Sequence, residues 1–507
     1  MNMVAMNVVA MNMVELLPLL PWVFLGVGAG IFVGAIPGLT GAMVIALTVP
    51  LTFSMDQDAA LALLVSLYTG SVSGGLVSAT LLNIPGTPAA MITILDAYPM
   101  TRRGEAGRAL GLAVGASFVG GIISGVALLF LARPIAEWSV HLSPFDLFAL
   151  VAMAMVFIAS VAEPGLVGLG KGLLSGMAGC LAALPGMHPA TGEIRFTFGL
   201  VEMSDGFRLL PVLIGLFAFS QAFRDLVLPS EQGRLPVAPR AAKGVLIPLK
   251  GWLSQVGNLV RSSIIGTLVG ILPGIGANIG STIAYGSARH FSRTPERFGH
   301  GSDEGLVASE SANNATVGGA LIPLISLGIP GSVVDAVLLG AFVIHGLQPG
   351  PLLFDNHPET VGSLVGAYLV SNVVMLIMML ASARWLAKLA NLSRIRLAPV
   401  IIVCCVAGSY ALGNRMFDVW VMVGFGLLGI VLQQWRIPPA PFVIGFVLAP
   451  LAEENLASGL MASGGSYLPL LTRPFALVCL ALSLLLLVAA ARGRKEAPPT
   501  ANGGAAP

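Results

Sequence analysis

Charge is scarce in this chain. Asp, Glu, Lys and Arg make up 10% of its 507 residues, where a soluble domain carries about 25%, too few to cover a water-facing surface. With 56% of the residues hydrophobic, the chain reads as a polytopic membrane protein. A basic excess is missing too: Lys+Arg 26 against Asp+Glu 24 leaves +2, with no tract suited to phosphates, so no nucleic acid is expected as a partner. Cysteine is rare. Cys180, Cys404, Cys405 and Cys479 lack any Cys-x-x-Cys spacing, so neither a zinc site nor a disulfide framework is indicated, and all four read as small buried hydrophobes. Enzyme signatures are absent. GLVGLGKG (165–172) nearly matches a phosphate-binding loop, but Gly172 stands where Ser or Thr would hold Mg²⁺. Neither a Gly-x-Ser-x-Gly elbow nor a His-Glu-x-x-His pair occurs. An intramembrane enzyme is therefore the weakest reading, and no cofactor is expected beyond a coupling ion.

What is plentiful is Gly (62) and Pro (34), which membrane helices tolerate where broken backbone lines a cavity or packs against protein. Uncharged runs long enough to cross the hydrocarbon core, about 20 residues, recur throughout, among them 59–95, 109–132, 262–288, 311–334 and 361–383. The first basic residue is Arg102. Clusters at Arg102/Arg103/Arg108, Arg234/Arg240/Lys243/Lys250/Arg261, Arg289/Arg293/Arg297, Arg384/Lys388/Arg394/Arg396 and Arg492/Arg494/Lys495 are cytoplasmic by the positive-inside rule. The N-terminal Met/Asn repeat has no basic region; it is a poor signal peptide and is expected outside. Arg261 and Arg289 share one side, so the run between them is expected to form a re-entrant hairpin broken at Pro273-Gly274. A mirror-image hairpin broken at Pro37-Gly38 is expected at the start, followed by five crossings.

Three landmarks recur in order. GAIPG (34–38) matches GILPG (270–274), Gly74-Gly75 matches Gly318-Gly319, and NIPGT (83–87) matches GIPGS (328–332). Pro-Gly pairs match easily by chance; ordered matches at nearly one spacing do not. The charge rule sends the long helix after each second Pro-Gly in opposite directions. The expectation is an all-α polytopic membrane protein of two inverted repeats, with broken helices, re-entrant hairpins and about 11–12 transmembrane segments, a plan common among secondary transporters. Its parts are a tail (1–15), a first repeat (16–225), a basic cytoplasmic linker (226–250), a second repeat (251–491) and a cytoplasmic tail (492–507).

GAIPGLTGAMVIALTVPLTF (34–53), LLNIPGTPAA (81–90), DAYPM (96–100), FGHGSDEGLVASESANNA (298–315), LGIPGSVVDAVLLGAF (327–342) and GLQPGPLLF (346–354) resemble the large membrane subunit of tripartite tricarboxylate transporters. Gly41 and Ser309 depart from the family pattern, which more usually has proline there. The resemblance implies a bacterial inner-membrane symporter for carboxylates, driven by an ion gradient. It also implies a small four-helix membrane subunit and a periplasmic solute-binding protein as partners.

A carboxylate away from bulk water needs N–H donors and positive potential, which half-helix N-termini supply. The candidate substrate residues are Pro37, Gly38, Thr40, Asn83, Pro85, Gly86, Thr87, Pro330, Gly331 and Ser332, with Thr87 and Ser332 expected as equivalent helix caps. Amide and hydroxyl oxygens suit Na⁺, which makes Pro273, Gly274, Asn278, Ser311, Asn313 and Asn314 the candidate ion residues. Paired Asn has poor helix propensity, so residues 313–314 suggest local unwinding or a buried hydrogen-bonding role. Glu310 is balanced between an ordinary helix start in water and a functional acid. Asp335 and His345 are weaker intramembrane candidates, while His188, His300 and His357 read as solvated loop residues. Na⁺ is favoured over H⁺ as the coupling ion. A passive anion channel is the main rival, because Gly-rich breaks also build filters.

Overall fold

Apolar segments can satisfy their backbone groups in lipid only as helices or closed barrels, and here they form helices. The computed structural model describes residues 16–36, 39–87, 89–162, 165–227, 247, 249–272, 276–389, 394–411 and 413–492. Both breaks at Pro37-Gly38 and Pro273-Gly274, nearly all of the basic linker and both tails lie outside the described residues. Among those described, strand is confined to one antiparallel pair, β1 (Gly186–Met187) with β2 (Ile194–Arg195).

The first half runs α1 (Leu20–Ala35), α2 (Gly41–Thr52), α3 (Gln57–Leu82), α4 (Ala90–Arg102), α5 (Ala106–Ser139), α6 (Pro144–Ala162), α7 (Leu166–Ala183) and α8 (Leu209–Val227). The second runs α9 (Val256–Ile271), α10 (Gly276–Phe291), α11 (Asp303–Leu327), α12 (Val333–Ile344), α13 (Pro358–Leu389), α14 (Arg394–Ala411), α15 (Met416–Gln434) and α16 (Pro439–Ala462), and α17 (Pro474–Arg492) follows without a counterpart. Eight described helices are long and apolar enough to cross a bilayer. Residues 165–172 belong to the loop and first turns of α7, and a Cβ on Gly172 would strike the Ala159 carbonyl. That glycine is there for helix packing.

Matching helices start and stop alike. Asp56 caps α3 by accepting from the Asp58 N–H at 3.2 Å, and Ser302 caps its match α11 by accepting from the Gly305 N–H at 3.2 Å, while Thr40 caps α2 by accepting from the Met43 N–H at 3.2 Å. Helices α3 and α11 both end on a left-handed residue, Asn83 (φ 58°) and Gly328 (φ 69°), the usual way to close the last turn. These two helices form the centre of the bundle. Every residue from Ala59 to Leu82 and from Gly305 to Ser326 is buried.

In lipid, close approach of small residues drives helix association more than apolar burial does, and the packing follows that rule twice over. Cβ atoms on Gly30, Gly34 and Gly74 would collide with the carbonyls of Leu67, Ser71 and Ile31; on Gly266, Gly270 and Gly319 they would collide with those of Ala312, Thr316 and Thr267. Each residue of the second set follows its counterpart by 236 or 245 positions. The contacts therefore align Gly74 with Gly319, one residue beyond the alignment read from the glycine pairs. Contacts also exchange between halves. Helix α5 packs on α9 and α11 while its counterpart α13 packs on α1 and α3, and α6 and α7 pack on α16 while α14 and α15 pack on α8.

Two polar ends are evident. At one, Arg108 pairs with Asp303, Lys171 donates to the Arg436 carbonyl at 3.0 Å and Arg224 to Gln433 at 2.7 Å. At the other, Arg415 pairs with Asp205 at 3.1 Å, Arg473 with Asp146 at 2.8 Å, and Arg133 lies 3.9 Å from Asp355. Arg108 and Arg133 sit near opposite ends of α5, about 38 Å apart at 1.5 Å per residue. That exceeds the hydrocarbon thickness of about 30 Å.

Candidate functional site

At the first break, the chain leaves α3 through Asn83 and enters α4 after Gly86-Thr87. A Cβ on Gly86 would lie 2.6 Å from the Gly75 Cα, 2.7 Å from the Gly34 carbonyl oxygen and 2.7 Å from the Ser78 hydroxyl. The turn is wedged against both α1 and α3. The expected capping role of Thr87 is not observed. Helix α4 begins later, at Ala90, whose N–H donates to the Thr87 carbonyl, and the Thr87 Oγ1 is buried with no partner among the described residues. Asn83 is exposed; its left-handed conformation serves the turn.

At the second break, Ser332 does cap α12, its hydroxyl accepting from the Asp335 N–H at 3.3 Å. Gly331 has more room, since a Cβ there would stand 3.3 Å from the Ala320 Cβ, 3.3 Å from the Gly270 carbonyl oxygen and 3.4 Å from the Asp335 Oδ2. Residues 270, 320 and 331 match Gly34, Gly75 and Gly86, so the two breaks share one scaffold. Tyr68 reaches across from α3 to place its hydroxyl 3.4 Å from that of Ser332. The same correspondence maps Tyr68 onto Asn313 and Ser332 onto Thr87.

Helix α11 is continuous through Asn313-Asn314, so the unwinding reading is set aside and the buried hydrogen-bonding reading applies to one of the pair. The Asn314 Nδ2 donates to the Ser73 hydroxyl at 2.8 Å, joining the two central helices. Both polar atoms of the Asn313 side chain are buried without a hydrogen bond of good geometry among the described residues, although the amide faces the Glu310 carboxylate one turn before it. Ser311 donates to the Ala308 carbonyl of its own helix at 3.3 Å. The Asn278 side chain lies outside the described residues, as do Pro273 and Gly274. Glu310 is fully buried rather than in water. It accepts from Thr93 of α4 and, at 3.0 Å, from Ser117 of α5.

Polar residues within apolar runs, Tyr68, Ser73, Thr93 and Ser117, were the partners least visible beforehand; the only signal was a hydroxyl or amide in an otherwise apolar stretch. Asp96 carried a clearer one, its place in DAYPM. Its carboxylate accepts from the N–H groups of Gly299, Gly301 and Ser302 at 2.7–2.9 Å and from the Tyr285 hydroxyl at 2.9 Å. It thereby ties that motif to FGHGSDEG, whose Gly299 and Gly301 take φ values of 84° and 95° that side chains rarely adopt. Beside it lies a cavity of about 600 Å³ bordered by Arg103, Arg108 and Arg297 as well as Glu105, Glu296, Asp303 and Glu304. Mixed signs make it a poor anion site. Burial pushes the Asp303 carboxyl above its usual range, against the pull of Arg108.

His300 and His357 are exposed as expected, but His188 is half-buried, accepting from the N–H groups of Ala190 and Thr191 at 3.1 Å and lying 3.4 Å from Glu453. It anchors the β1–β2 hairpin together with Arg195, which forks onto the same Glu453. Cys404 is exposed, unlike the buried Cys405 and Cys479, because it lies on an outward face of α14.

An all-α bundle with two paired helix breaks beside its central helices, within a shell of apolar helices, defines a membrane protein that crosses the bilayer several times. The chain belongs to the tripartite tricarboxylate transporter TctA family, whose model matches residues 20–444. It is 33% identical over 475 residues to the uncharacterized 52.8 kDa protein in the TAR-I ttuC' 3'region of Agrobacterium vitis, covering 92% of each chain. A second relative, the uncharacterized protein in the TAR-II ttuC' 3'region of the same organism, is 35% identical over 212 residues, 40% of this chain and 88% of that one. No solved structure matches.

Proposed function

We propose that the chain is the permease subunit of an ion-gradient-driven secondary transporter that imports a small tri- or dicarboxylate across a bacterial inner membrane. A periplasmic solute-binding protein delivers the substrate, and a small four-helix membrane subunit completes the complex. The family supports the class of protein. The observation that carries the reading is the pair of buried polar groups at the breaks that make no hydrogen bond of good geometry among the described residues: Thr87 Oγ1 and the Asp335 carboxylate. Native proteins rarely leave such groups unsatisfied, and a transport site empties and fills by design.

The two breaks together take the carboxylate and its coupling ion, the carboxylate meeting the Gly86-Thr87 turn. The exchange of packing partners between halves is what a pseudo-two-fold relation requires, and it supports the inverted-repeat plan. The contacts at the two polar ends pair only segments that the charge rule places on one side. They agree with the predicted order of crossings, and the basic clusters set the direction, with the N-terminus outside and the C-terminus in the cytoplasm.

The test is uptake in proteoliposomes holding the full chain with its small subunit, with the binding protein outside and labelled citrate as substrate. An imposed inward Na⁺ gradient drives accumulation above the equilibrium level. Equilibration without any gradient would make the chain a passive channel instead.

A further inference from the structure

We propose that the second break is a binding site for a small alkali cation, centred on the Asp335 carboxylate. The inference deepens the transport reading and rests on it only for the role of the cation, not for its binding. It departs from the expectation that Pro330, Gly331 and Ser332 face the carboxylate substrate.

Asp335 is wholly buried in the first turn of α12. None of the ion pairs among the described residues involves it. Neither of its oxygens has a hydrogen bond of good geometry there, although the N–H groups of Gly331 and Ser332 and the hydroxyls of Ser332 and Tyr68 face it. A buried carboxylate without a counter-charge is expensive and calls for a cation or a proton. Oxygens stand beside those N–H groups. The Gly270 carbonyl and the Asp335 Oδ2 border one point, at 3.3 and 3.4 Å from the position a Gly331 Cβ would take, and the Tyr68 and Ser332 hydroxyls lie beside the same turn. A carboxylate with carbonyl and hydroxyl oxygens is a hard donor set, suited to Na⁺.

The plainer role for Asp335 is the reciprocal half of a Ser-x-x-Asp capping box. Ser332 does accept from the Asp335 N–H, and the Ser332 N–H faces the carboxylate in return, but neither Asp335 oxygen makes a hydrogen bond of good geometry among the described residues. The first break also shows that the scaffold does not require this acid, since the position equivalent to Asp335 is Ala90.

The test is thermal stability of the purified full chain, without carboxylate, in NaCl against choline chloride at constant ionic strength. Na⁺ raises the Tm of the wild type, Asp335→Asn removes the rise, and Glu310→Gln keeps it. An Asp335→Asn variant with the full Na⁺ response, or a wild type with none, overturns the proposal. A capping role alone would lower Tm equally in both salts. Should Asp335→Asn fail to fold, Tyr68→Phe decides: the proposal requires a several-fold rise in the Na⁺ concentration for half-maximal stabilisation, and an unchanged value overturns it. Na⁺ binding without citrate accumulation in proteoliposomes would leave this site standing and sink the transport reading. Gradient-driven accumulation without Na⁺ binding would do the reverse.

Discussion

At the first break Gly86 is pressed against the Gly75 Cα and the Gly34 carbonyl, and the group left open is neutral, a threonine hydroxyl. At the second break a Gly331 Cβ would be tight but not blocked, 3.3–3.4 Å from its three neighbours, and the open group is a carboxylate. One backbone plan thus carries two chemistries. Neutral donors near a half-helix N-terminus suit an anion, while an acid ringed by oxygens suits a cation. A duplicated scaffold can divide a coupled reaction in this way, because substitutions such as Ala90 against Asp335 change the charge of one site without disturbing the helix packing both share.

The sharpest way to break this comparison is to add one methyl group to each turn. Gly86→Ala puts a Cβ within 2.6–2.7 Å of backbone that cannot move without separating α1 from α3. Overpacking of this kind costs about 1–3 kcal/mol. Citrate uptake in that variant falls to background while the protein still inserts. Gly331→Ala is tight at 3.3–3.4 Å, so its neighbours give by a few tenths of an ångström, and the variant keeps part of its uptake but needs more Na⁺. Equal effects in both variants would contradict the difference between the breaks.

Next in size is Glu310→Gln. Both carboxylate oxygens accept hydroxyl hydrogens, from Thr93 and Ser117; an amide can accept only on its oxygen, so one buried hydroxyl loses its acceptor. About 1–3 kcal/mol of stability is lost. The lower Tm should be the same in NaCl and choline chloride.

The smallest effects separate the two asparagines. Asn314→Ala removes the bond to Ser73 and lowers Tm by the equivalent of about 1 kcal/mol, the size of such bonds between membrane helices. Asn313→Ala breaks no hydrogen bond of good geometry and loses only the contact of the amide with Glu310, so it lowers Tm less than Asn314→Ala does and raises the KM for citrate, in place of the ion role first expected of it. If Asn313→Ala unfolded the protein and Asn314→Ala only altered transport, the assignment of the two would be reversed.

The sequence made the repeat legible because Pro-Gly breaks and packing glycines are rigid requirements of the backbone, and identical backbone problems recur as identical residues. It could not show which polar residues meet across helices. Ser73 with Asn314, and Thr93 and Ser117 with Glu310, are brought together by the three-dimensional contact of α3, α4, α5 and α11, and those helices have no solvent-facing side whose periodicity would reveal orientation. Thr87 and Ser332 look interchangeable as letters. They differ because α4 starts three residues beyond Thr87 whereas α12 starts directly after Ser332. Asn313-Asn314 looked like a break by propensity, yet burial on all sides holds α11 helical through both.

The most direct measurement of the division between the breaks is ligand protection of single thiols in the full complex, with the four native cysteines replaced. Thr87→Cys and Ser332→Cys are each modified by a small methanethiosulfonate, with citrate or Na⁺ added separately. Citrate should slow modification at position 87 and leave 332 unchanged, while Na⁺ should slow it at 332 and leave 87 unchanged. Protection of position 332 by citrate in the absence of Na⁺, or of position 87 by Na⁺ alone, would contradict it.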